Sequence, residues 1–255
     1  MNKKVIYTCL VGDYDVLLQP VVVDDSFDYI CFTDSNNLDT DGVWQKRPIP
    51  YISKNKVCLS RYPKILPHKV LPMYEESLYL DANICITSSR FYSILDNLIS
   101  KNILIAQVEH PTRDCVYQEL EICCAYRLIS SLQRMCHYLR YKYNGMPHHW
   151  GLYENNIIFR KHNDKEVQCI SEEWWKEYCR YSRRDQLSLP YVYFKKNFKP
   201  SLLFKQGVCT RNSDCVRYVN HSQKRLMVED SSVEIFIVHA LNLMDKFHLI
   251  PPGLF

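Results

Sequence analysis

Short apolar runs that end in polar turns alternate with longer amphipathic stretches along this chain. The short runs are rich in Val, Ile and Tyr, and they predict buried strands at residues 3–11, 27–33, 43–49, 77–80, 84–87, 103–108 and 156–160. The amphipathic stretches predict helices at residues 56–68, 91–99, 113–143 and 231–247, and two more that begin near Ser171 and Arg184. Alternating strands and helices indicate an α/β fold with a mainly parallel sheet.

Polar residues follow four of the predicted strands at the point where each strand ends. Asp13, Asp34, Asp81 and His110 all come just after an apolar run. Ligands of such sheets bind outside the carboxyl ends of the strands, so we expect these side chains to converge on one crevice. The alternative is that the aspartates only form turns, where Asp is common.

Asp81 and Asn83 follow a buried strand with one residue between them. In extended backbone, residues i and i+2 point the same way, so both side chains can face one site. Carboxylate and amide oxygens suit Mg²⁺ or Mn²⁺. The alternative reading is a strand-ending turn in which both residues are turn formers.

The composition narrows the ways in which this chain can hold phosphate. Only 6 of the 255 residues are glycine, and neither G-x-G-x-x-G nor G-x-x-x-x-G-K-[ST] occurs. Phosphate is then expected to be held by a metal ion, by cationic side chains or by a helix N-terminus. The net charge of +4 fits a protein that handles anionic small molecules or lies near an anionic membrane.

The 12 cysteines are expected to be free thiols in a reducing, cytosolic setting. No apolar run is long enough for a signal peptide or a membrane span. The alternative is a zinc site with Cys209, Cys215 and His221, although their spacing matches no common zinc module.

Four stretches together resemble a known family. They are Tyr7–Asp15 (YTCLVGDYD), Tyr29–Asp34 (YICFTD), Arg61–His68 (RYPKILPH) and Ser77–Ile84 (SLYLDANI). The last is similar to the Asp-x-Asp motif of GT-A glycosyltransferases, with Asn83 in place of the second Asp. The set resembles a bacterial and plant glycosyltransferase-like family that was formerly a domain of unknown function, over residues 5 to about 195.

The resemblance implies a single-domain GT-A (Rossmann-like) α/β fold with a mixed, mainly parallel sheet flanked by helices. Residues 1–196 would bind the nucleotide sugar and carry out catalysis, and residues 197–255 would pack on the same domain and complete the site. The metal ligands would be Asp81, Asn83 and a late histidine, for which we choose His221 because cations stand beside it. The residues implied to bind the nucleotide sugar are Thr8, Gly12, Asp13, Tyr14, Asp34, Arg61, Lys64, His110, Arg113 and Lys224.

Two further stretches are implied to act on the sugars. Asp185-Gln186 resembles an Asp-Gln element of retaining GT-A enzymes, in which Asp binds donor hydroxyls and Gln lies near the anomeric carbon. Glu154, expected on a loop, would bind the acceptor or act as a base. The alternatives are that Asp185 and Gln186 only open a helix, that Glu154 is a surface carboxylate, and that Arg61 and Lys64 lie on a solvated helix face.

The implied activity is transfer of a hexose from a nucleotide-diphosphate sugar, with a UDP-sugar favoured, to a glycan or lipid-linked acceptor in polysaccharide biosynthesis. Mn²⁺ or Mg²⁺ would assist, and the Asp-Gln resemblance favours retention of configuration. The expected location is the cytoplasm, with peripheral association at the inner face of a membrane left open.

Two other classes of function compete with the transferase. A sugar nucleotidyltransferase would share the α/β layout and the Mg²⁺ site, but its usual Gly-rich basic loop is replaced by the acidic segment 12–15. A non-catalytic binder of nucleic acid or another anionic ligand would use the interleaved cations and tyrosines of segment 140–143. No nucleic-acid partner is predicted, because that segment is short. An inactive sugar-binding family member is the last alternative.

Overall fold

The computed structural model describes residues 3–12, 15–35, 42–220, 227–251 and 253. Its strands are β1 (Lys4–Leu10), β2 (Phe27–Thr33), β3 (Gln45–Pro48), β4 (Glu76–Leu80), β5 (Ile84–Ile86), β6 (Ile105–Glu109), β7 (Tyr153–Arg160), β8 (Ser201–Leu202) and β9 (Val216–Tyr218). Its helices are α1 (Lys56–Ile65), α2 (Pro67–Val70), α3 (Arg90–Ser100), α4 (Val116–Ala125), α5 (Ser131–Tyr143), α6 (Lys165–Arg180), α7 (Asp185–Lys195) and α8 (Ser232–Lys246).

Seven strands form one sheet in the order β3-β2-β1-β4-β7-β6-β8, and β5 pairs with β9 in a second, two-stranded sheet. Within the large sheet β7 runs antiparallel to both of its neighbours, and the remaining pairs are parallel. The carboxyl ends of β1, β2 and β4 therefore meet at one edge, where the amino end of β7 also lies. This confirms the predicted mixed, mainly parallel α/β sheet.

By its contacts the chain divides into two compact units. The first comprises Met1–Pro111, Tyr153–Trp175 and Lys199–Gln223, and its core packs apolar side chains of the sheet against α3. The second comprises Thr112–Leu152, Lys176–Phe198 and Lys224–Phe255, and it is helical. The predicted division into residues 1–196 and 197–255 stays a prediction.

The single helix predicted over residues 113–143 is wrong, because two helices occupy that stretch. Helix α4 ends at Ala125, and Arg127 takes a left-handed backbone with φ of 52°. Ser130 then begins α5 with a capping box, in which its side chain and that of Gln133 each bond the other's backbone N–H. The apolar spacing continues across the break, so periodicity alone hides it.

The start predicted for the next helix is also wrong, whereas that of the last helix is confirmed. Helix α6 begins six residues before Ser171, and the Asp164 side chain accepts from the backbone N–H of Glu166 at 2.8 Å. Ser171 is buried inside the helix. Ser231 and Glu234 form the predicted capping box of α8.

The 12 cysteines are free thiols. In the described part of the chain, no group of three or more His, Cys, Asp or Glu side chains is arranged to hold a metal ion. No described helix is long and apolar enough to cross a membrane.

Helix α8 is apolar on two sides. Val238 faces inward and packs with Met135 and Leu139 of α5. Large side chains on the rest of the helix and just beyond it are exposed, namely Val233, Ile235, Phe236, Ile237, Leu243, Phe247 and Leu249.

His162 is buried and neutral in the fold. Its Nε2 lies 2.9 Å from the carbonyl oxygen of Leu71, which only accepts, so Nε2 carries the proton and Nδ1 accepts from the Ser77 hydroxyl at 2.9 Å. Burial lowers its pKa from 6.5 to about 4, and burial likewise lowers the pKa of His137 to about 3. Both histidines favour the folded state above pH 6.5, and that stability is lost as pH falls toward 4.

We predict that His162→Gln weakens the acid dependence of folding. Between pH 7 and pH 5 the wild-type chain loses about 2 kcal/mol of unfolding free energy through His162 alone, since each pKa unit is worth about 1.4 kcal/mol. The variant lacks that loss, which urea titrations at the two pH values measure by tryptophan fluorescence. His239→Gln, at an exposed position of α8, is the control and keeps the wild-type dependence. If the unfolding free energy depends on pH equally in all three proteins, His162 is not the buried neutral group that makes folding sensitive to acid.

Candidate active site

The ends of β1 and β2 form the first part of the site. The two strands are parallel neighbours, so Gly12 and Asp34 lie side by side, and the Gly12 N–H donates to Asp34 Oδ1 at 2.8 Å. Gly12 has φ of 60°, and a Cβ placed on it would lie 3.1 Å from Lys56 Nζ. Glycine therefore allows both the turn and the close approach of a lysine ammonium to the backbone.

Asp81 follows β4 directly, at the same edge of the sheet. Its Oδ1 accepts from the Tyr79 hydroxyl at 2.8 Å and lies 3.5 Å from Lys64 Nζ. Its side chain is 25% exposed. Within the described residues Oδ2 has no hydrogen-bond partner, so one oxygen is anchored and the other is open.

Two buried cations lie beneath Asp81. Lys64 is 1% exposed and Arg160 is 2% exposed. Arg160 Nη2 donates to the Tyr7 hydroxyl at 2.7 Å and to the carbonyl of Lys64 at 2.6 Å, near the C-terminal end of α1. Burial raises the pKa of Tyr7 to about 12, so its hydroxyl stays protonated. Of these two cations, Lys64 forms an ion pair with Asp81.

Asn83 provides a second open oxygen. Its side chain is buried, and Nδ2 donates to the carbonyl of Val219 at 2.7 Å. Only the amide nitrogen can donate, so the oxygen is oriented away from Val219. Oδ1 is buried and has no partner among the described residues. Asn83 also lines a pocket of about 110 Å³ together with Asp15, Val16, Leu18, Val219 and Asn220.

The open oxygens of Asp81 and Asn83 fit a hard divalent cation, because carboxylate and amide oxygens are the ligands that Mg²⁺ and Mn²⁺ prefer. An orphaned buried amide oxygen is itself unfavourable and favours a ligand. The predicted third ligand, His221, lies outside the described residues, as do Asp13, Tyr14 and Lys224.

Three other predicted residues lie in the first unit. Thr8 is fully buried inside β1, and its hydroxyl has no partner among the described residues. Burial raises the pKa values of Cys9 and Tyr79 well above their usual range, and the nearby charge of Arg61 opposes both shifts. Arg61 therefore lies near the strand ends. His110 follows β6 and is half-buried.

Glu154 lies in strand β7 and not on the loop predicted for it. The strand begins at Tyr153, three residues earlier than expected, and Glu154 pairs with Val108, where the register between β6 and β7 shifts. The carboxylate is buried: Oε2 accepts from Thr210, and Oε1 forms an ion pair with Arg211 at 2.6 Å.

The remaining predicted residues belong to the second unit. Arg113 Nε donates to the buried carboxylate of Glu119 at 2.8 Å. Asp185 is the first residue of α7 and is buried, and its Oδ1 accepts from the backbone N–H of Gln186 at 3.0 Å. The structure brings Gly12, Asp34, Arg61, Lys64, Asp81 and Asn83 to one edge of the sheet.

Sequence reasoning missed Lys56, Tyr79 and Arg160. Tyr79 stands two residues before Asp81 on the same side of the chain, and this alternation could have revealed it. Arg160 directly follows three apolar residues, Ile157 to Phe159, which is also a visible signal. No sequence signal places the Lys56 ammonium beside Gly12.

The chain belongs to the family described as TOD1/MUCI70, glycosyltransferase-like domain, whose model matches residues 1–221. This confirms the resemblance found in the sequence motifs. A comparison with curated proteins finds no match.

Several solved structures follow a similar chain path. The apo WbbM bifunctional glycosyltransferase is 12% identical with a TM-score of 0.43, and the match covers 75% of this chain and 37% of that one. Core-mannan synthase A from Aspergillus fumigatus, in an Mn/GDP form, is 8% identical with a TM-score of 0.41, over 74% and 69%. Mouse xyloside xylosyltransferase 1, in an apo form, is 10% identical with a TM-score of 0.44, over 76% and 83%.

We predict that Lys64 and Asp81 are energetically coupled. Asp81→Asn removes a carboxylate that lies 3.5 Å from a buried ammonium, so we expect this variant to be less stable than the double variant Lys64→Met/Asp81→Asn. A double-mutant cycle in urea should give a coupling free energy of about 1–2 kcal/mol. The exposed pair Lys3 and Glu75 is the control, and its coupling should be weaker because solvent screens both charges. Additive effects at Lys64 and Asp81 contradict the prediction.

Proposed function

We propose that this protein transfers a hexose from a nucleotide-diphosphate sugar, with a UDP-sugar favoured, to a glycan or a lipid-linked glycan, assisted by Mn²⁺ or Mg²⁺. The observation that carries the proposal is a pair of oxygens directly after β4 that have no partner among the described residues, namely Asp81 Oδ2 and the buried Asn83 Oδ1. Membership of a glycosyltransferase-like family supports it.

Asp81 and Asn83 would hold the divalent ion, with His221 as the proposed third ligand. A bound ion supplies positive charge that stabilises the diphosphate as it departs. The chain adds cations of its own, because Lys56 and Arg61 lie near the same strand ends. Lys64 serves differently, since its ammonium pairs with Asp81 and holds that carboxylate in place.

The nucleoside is proposed to lie against the ends of β1 and β2. Asp34 uses Oδ1 to fix the Gly12 backbone, which leaves Oδ2 for a ribose or base donor. The Lys56 ammonium beside Gly12 suits the anionic part of the donor. Asp13 and Tyr14 are proposed to complete this pocket.

Asp185 and Gln186 are proposed to contact the donor sugar. Asp185 stands at the start of α7, where the helix dipole favours its negative charge. Hydrogen bonds from sugar hydroxyls to this carboxylate would orient the anomeric carbon, and Gln186 would lie near its reacting face. With this pair we propose retention of configuration, through an oxocarbenium-like transition state.

We predict that the wild-type protein releases a nucleoside diphosphate from one member of a panel of nucleotide sugars, with Mn²⁺ but not with EDTA. Asp81→Ala should lower metal-dependent donor affinity at least about tenfold, because it removes a proposed metal ligand. Asp185→Asn should lower turnover about 100-fold or more through lost transition-state stabilisation. Calorimetry measures donor affinity, and chromatography of the released nucleotide measures turnover.

Asp96→Asn is the matched control, since Asp96 forms an exposed ion pair with Lys4. It should leave both quantities unchanged. NMR of the first-formed product reports the anomeric configuration, and an inverted product contradicts the proposed retention. Absence of hydrolysis and of binding with every donor contradicts the transferase itself.

The proposed setting is the cytoplasmic face of a membrane, with α8 as the contact. Phe236 and Phe247 are 74% and 62% exposed, and Leu243 lies between them on the same side of the helix. A helix with such an apolar face inserts into the headgroup region and leaves its other face on the protein. A membrane-bound enzyme would meet a lipid-linked acceptor directly.

We predict that the protein co-sediments with vesicles of phosphatidylcholine and phosphatidylglycerol. Phe236→Ser/Phe247→Ser should lower the partition coefficient more than tenfold, because burying each phenyl ring contributes about 1.5–3 kcal/mol. Ile52→Ser is the control, since Ile52 is even more exposed, at 98%, but lies in the other unit. Absence of sedimentation, or equal sedimentation of all three proteins, contradicts the membrane contact.

A further inference from the structure

We propose that Glu154 is a positioning residue, which orients the oxygen of Asn83 toward a divalent ion through Thr210, Arg211 and strand β9. The inference rests on the proposed metal-assisted function. It gives Glu154 a different role from the acceptor-binding or basic one that the sequence predicts.

The carboxylate of Glu154 is fully engaged. Oε2 accepts from the Thr210 backbone N–H at 3.1 Å and from its hydroxyl at 2.8 Å. Oε1 accepts from Arg211 Nη1 at 2.6 Å, and the side chain is 6% exposed. Three charge-assisted contacts on a buried carboxylate hold segment 210–211 firmly and leave little capacity for a substrate proton.

Arg211 passes this constraint to strand β9. Its guanidinium carbon lies 4.8 Å from the ring centre of Tyr218, the last residue of β9. Tyr218 pairs with Ile84, the first residue of β5, so β9 is joined to the chain that follows Asn83. The negative face of the ring attracts the cation, and this attraction holds Arg211 and Tyr218 together.

Val219 holds Asn83 from two sides. The Val219 N–H donates to the Asn83 carbonyl at 3.0 Å, and the Val219 carbonyl accepts from Asn83 Nδ2 at 2.7 Å. The second bond decides the orientation of the amide and leaves Oδ1 without a partner among the described residues. A displacement of β9 would therefore turn the proposed metal ligand.

A second branch of the same network reaches Asp81. The Thr210 hydroxyl accepts from Asn156 Nδ2 at 3.0 Å, and the Asn156 carbonyl accepts from the Asp81 N–H at 2.9 Å. The buried carboxylate of Glu154 is thus connected through hydrogen bonds and strand pairing to both proposed ligands, Asp81 and Asn83. Groups in this position commonly alter metal affinity 10- to 100-fold without touching the ion.

The test is Mn²⁺ binding, followed by the EPR signal of free Mn²⁺, in wild type, Glu154→Gln, Arg211→Met and Asp81→Asn. We expect Glu154→Gln to weaken Mn²⁺ binding about tenfold. Arg211→Met should weaken it less, because the bonds from Thr210 to Glu154 remain. Glu177→Gln is the matched control, since Glu177 is buried and paired with Arg140, and it should bind Mn²⁺ as wild type does.

The outcomes separate the two proposals. Loss of Mn²⁺ affinity in Asp81→Asn but not in Glu154→Gln or Arg211→Met overturns the positioning role and leaves the metal site standing. Unchanged affinity in Asp81→Asn, or no Mn²⁺ binding by the wild type, overturns the metal site itself. If circular dichroism shows that Glu154→Gln does not fold, Arg211→Met decides alone. If Glu177→Gln loses as much Mn²⁺ affinity as Glu154→Gln, the loss reflects general destabilisation of the fold, and this result also overturns the inference.

Discussion

Buried positive charge beneath the strand ends is the constraint on which the site depends. Lys64 and Arg160 are both removed from water, which is unfavourable unless partners replace the lost hydration. Arg160 Nη2 donates to a hydroxyl and a carbonyl oxygen at the C-terminal end of α1, where the helix carries partial negative charge, whereas Nε and Nη1 have no partner among the described residues. Lys64 finds Asp81. The Asp81 carboxylate is therefore held in one orientation by the protein itself, before any ligand arrives.

At the same edge of the sheet, Asp81 and Asn83 each have one side-chain atom held by the protein and one oxygen that the described residues do not bind. Asp81 Oδ1 accepts from the Tyr79 hydroxyl and pairs with the Lys64 ammonium. Asn83 Nδ2 donates to the carbonyl of Val219. Each residue keeps one oxygen without a partner among the described residues. Preorganised oxygens need little rearrangement when an ion binds, which favours affinity. The buried carboxylate of Glu154 binds Thr210 and Arg211 and so holds the segment that leads to β9.

The sheet and the positions of polar residues directly after its strands were predictable, because an apolar run with a polar end is a local sequence pattern. The β2 bounds match the apolar run, and Asp34 and Asp81 follow their strands as expected. The prediction over residues 113–143 failed because the apolar period continues through the break at Arg127. Ser171 was misread because a good N-cap residue also fits a buried position inside a helix.

The sequence by itself determined the alternation of strands and helices and the chemistry available at the strand ends. Both depend on local periodicity and on which side chains follow an apolar run. Only the tertiary structure decided that Arg160 lies beneath Lys64, that Lys56 reaches Gly12, and that Glu154 is bound by Arg211. These pairs are separated by 40 to 100 residues, as for Lys64 and Arg160 at 96. Their proximity follows from the order of the strands in the sheet, which no local pattern encodes.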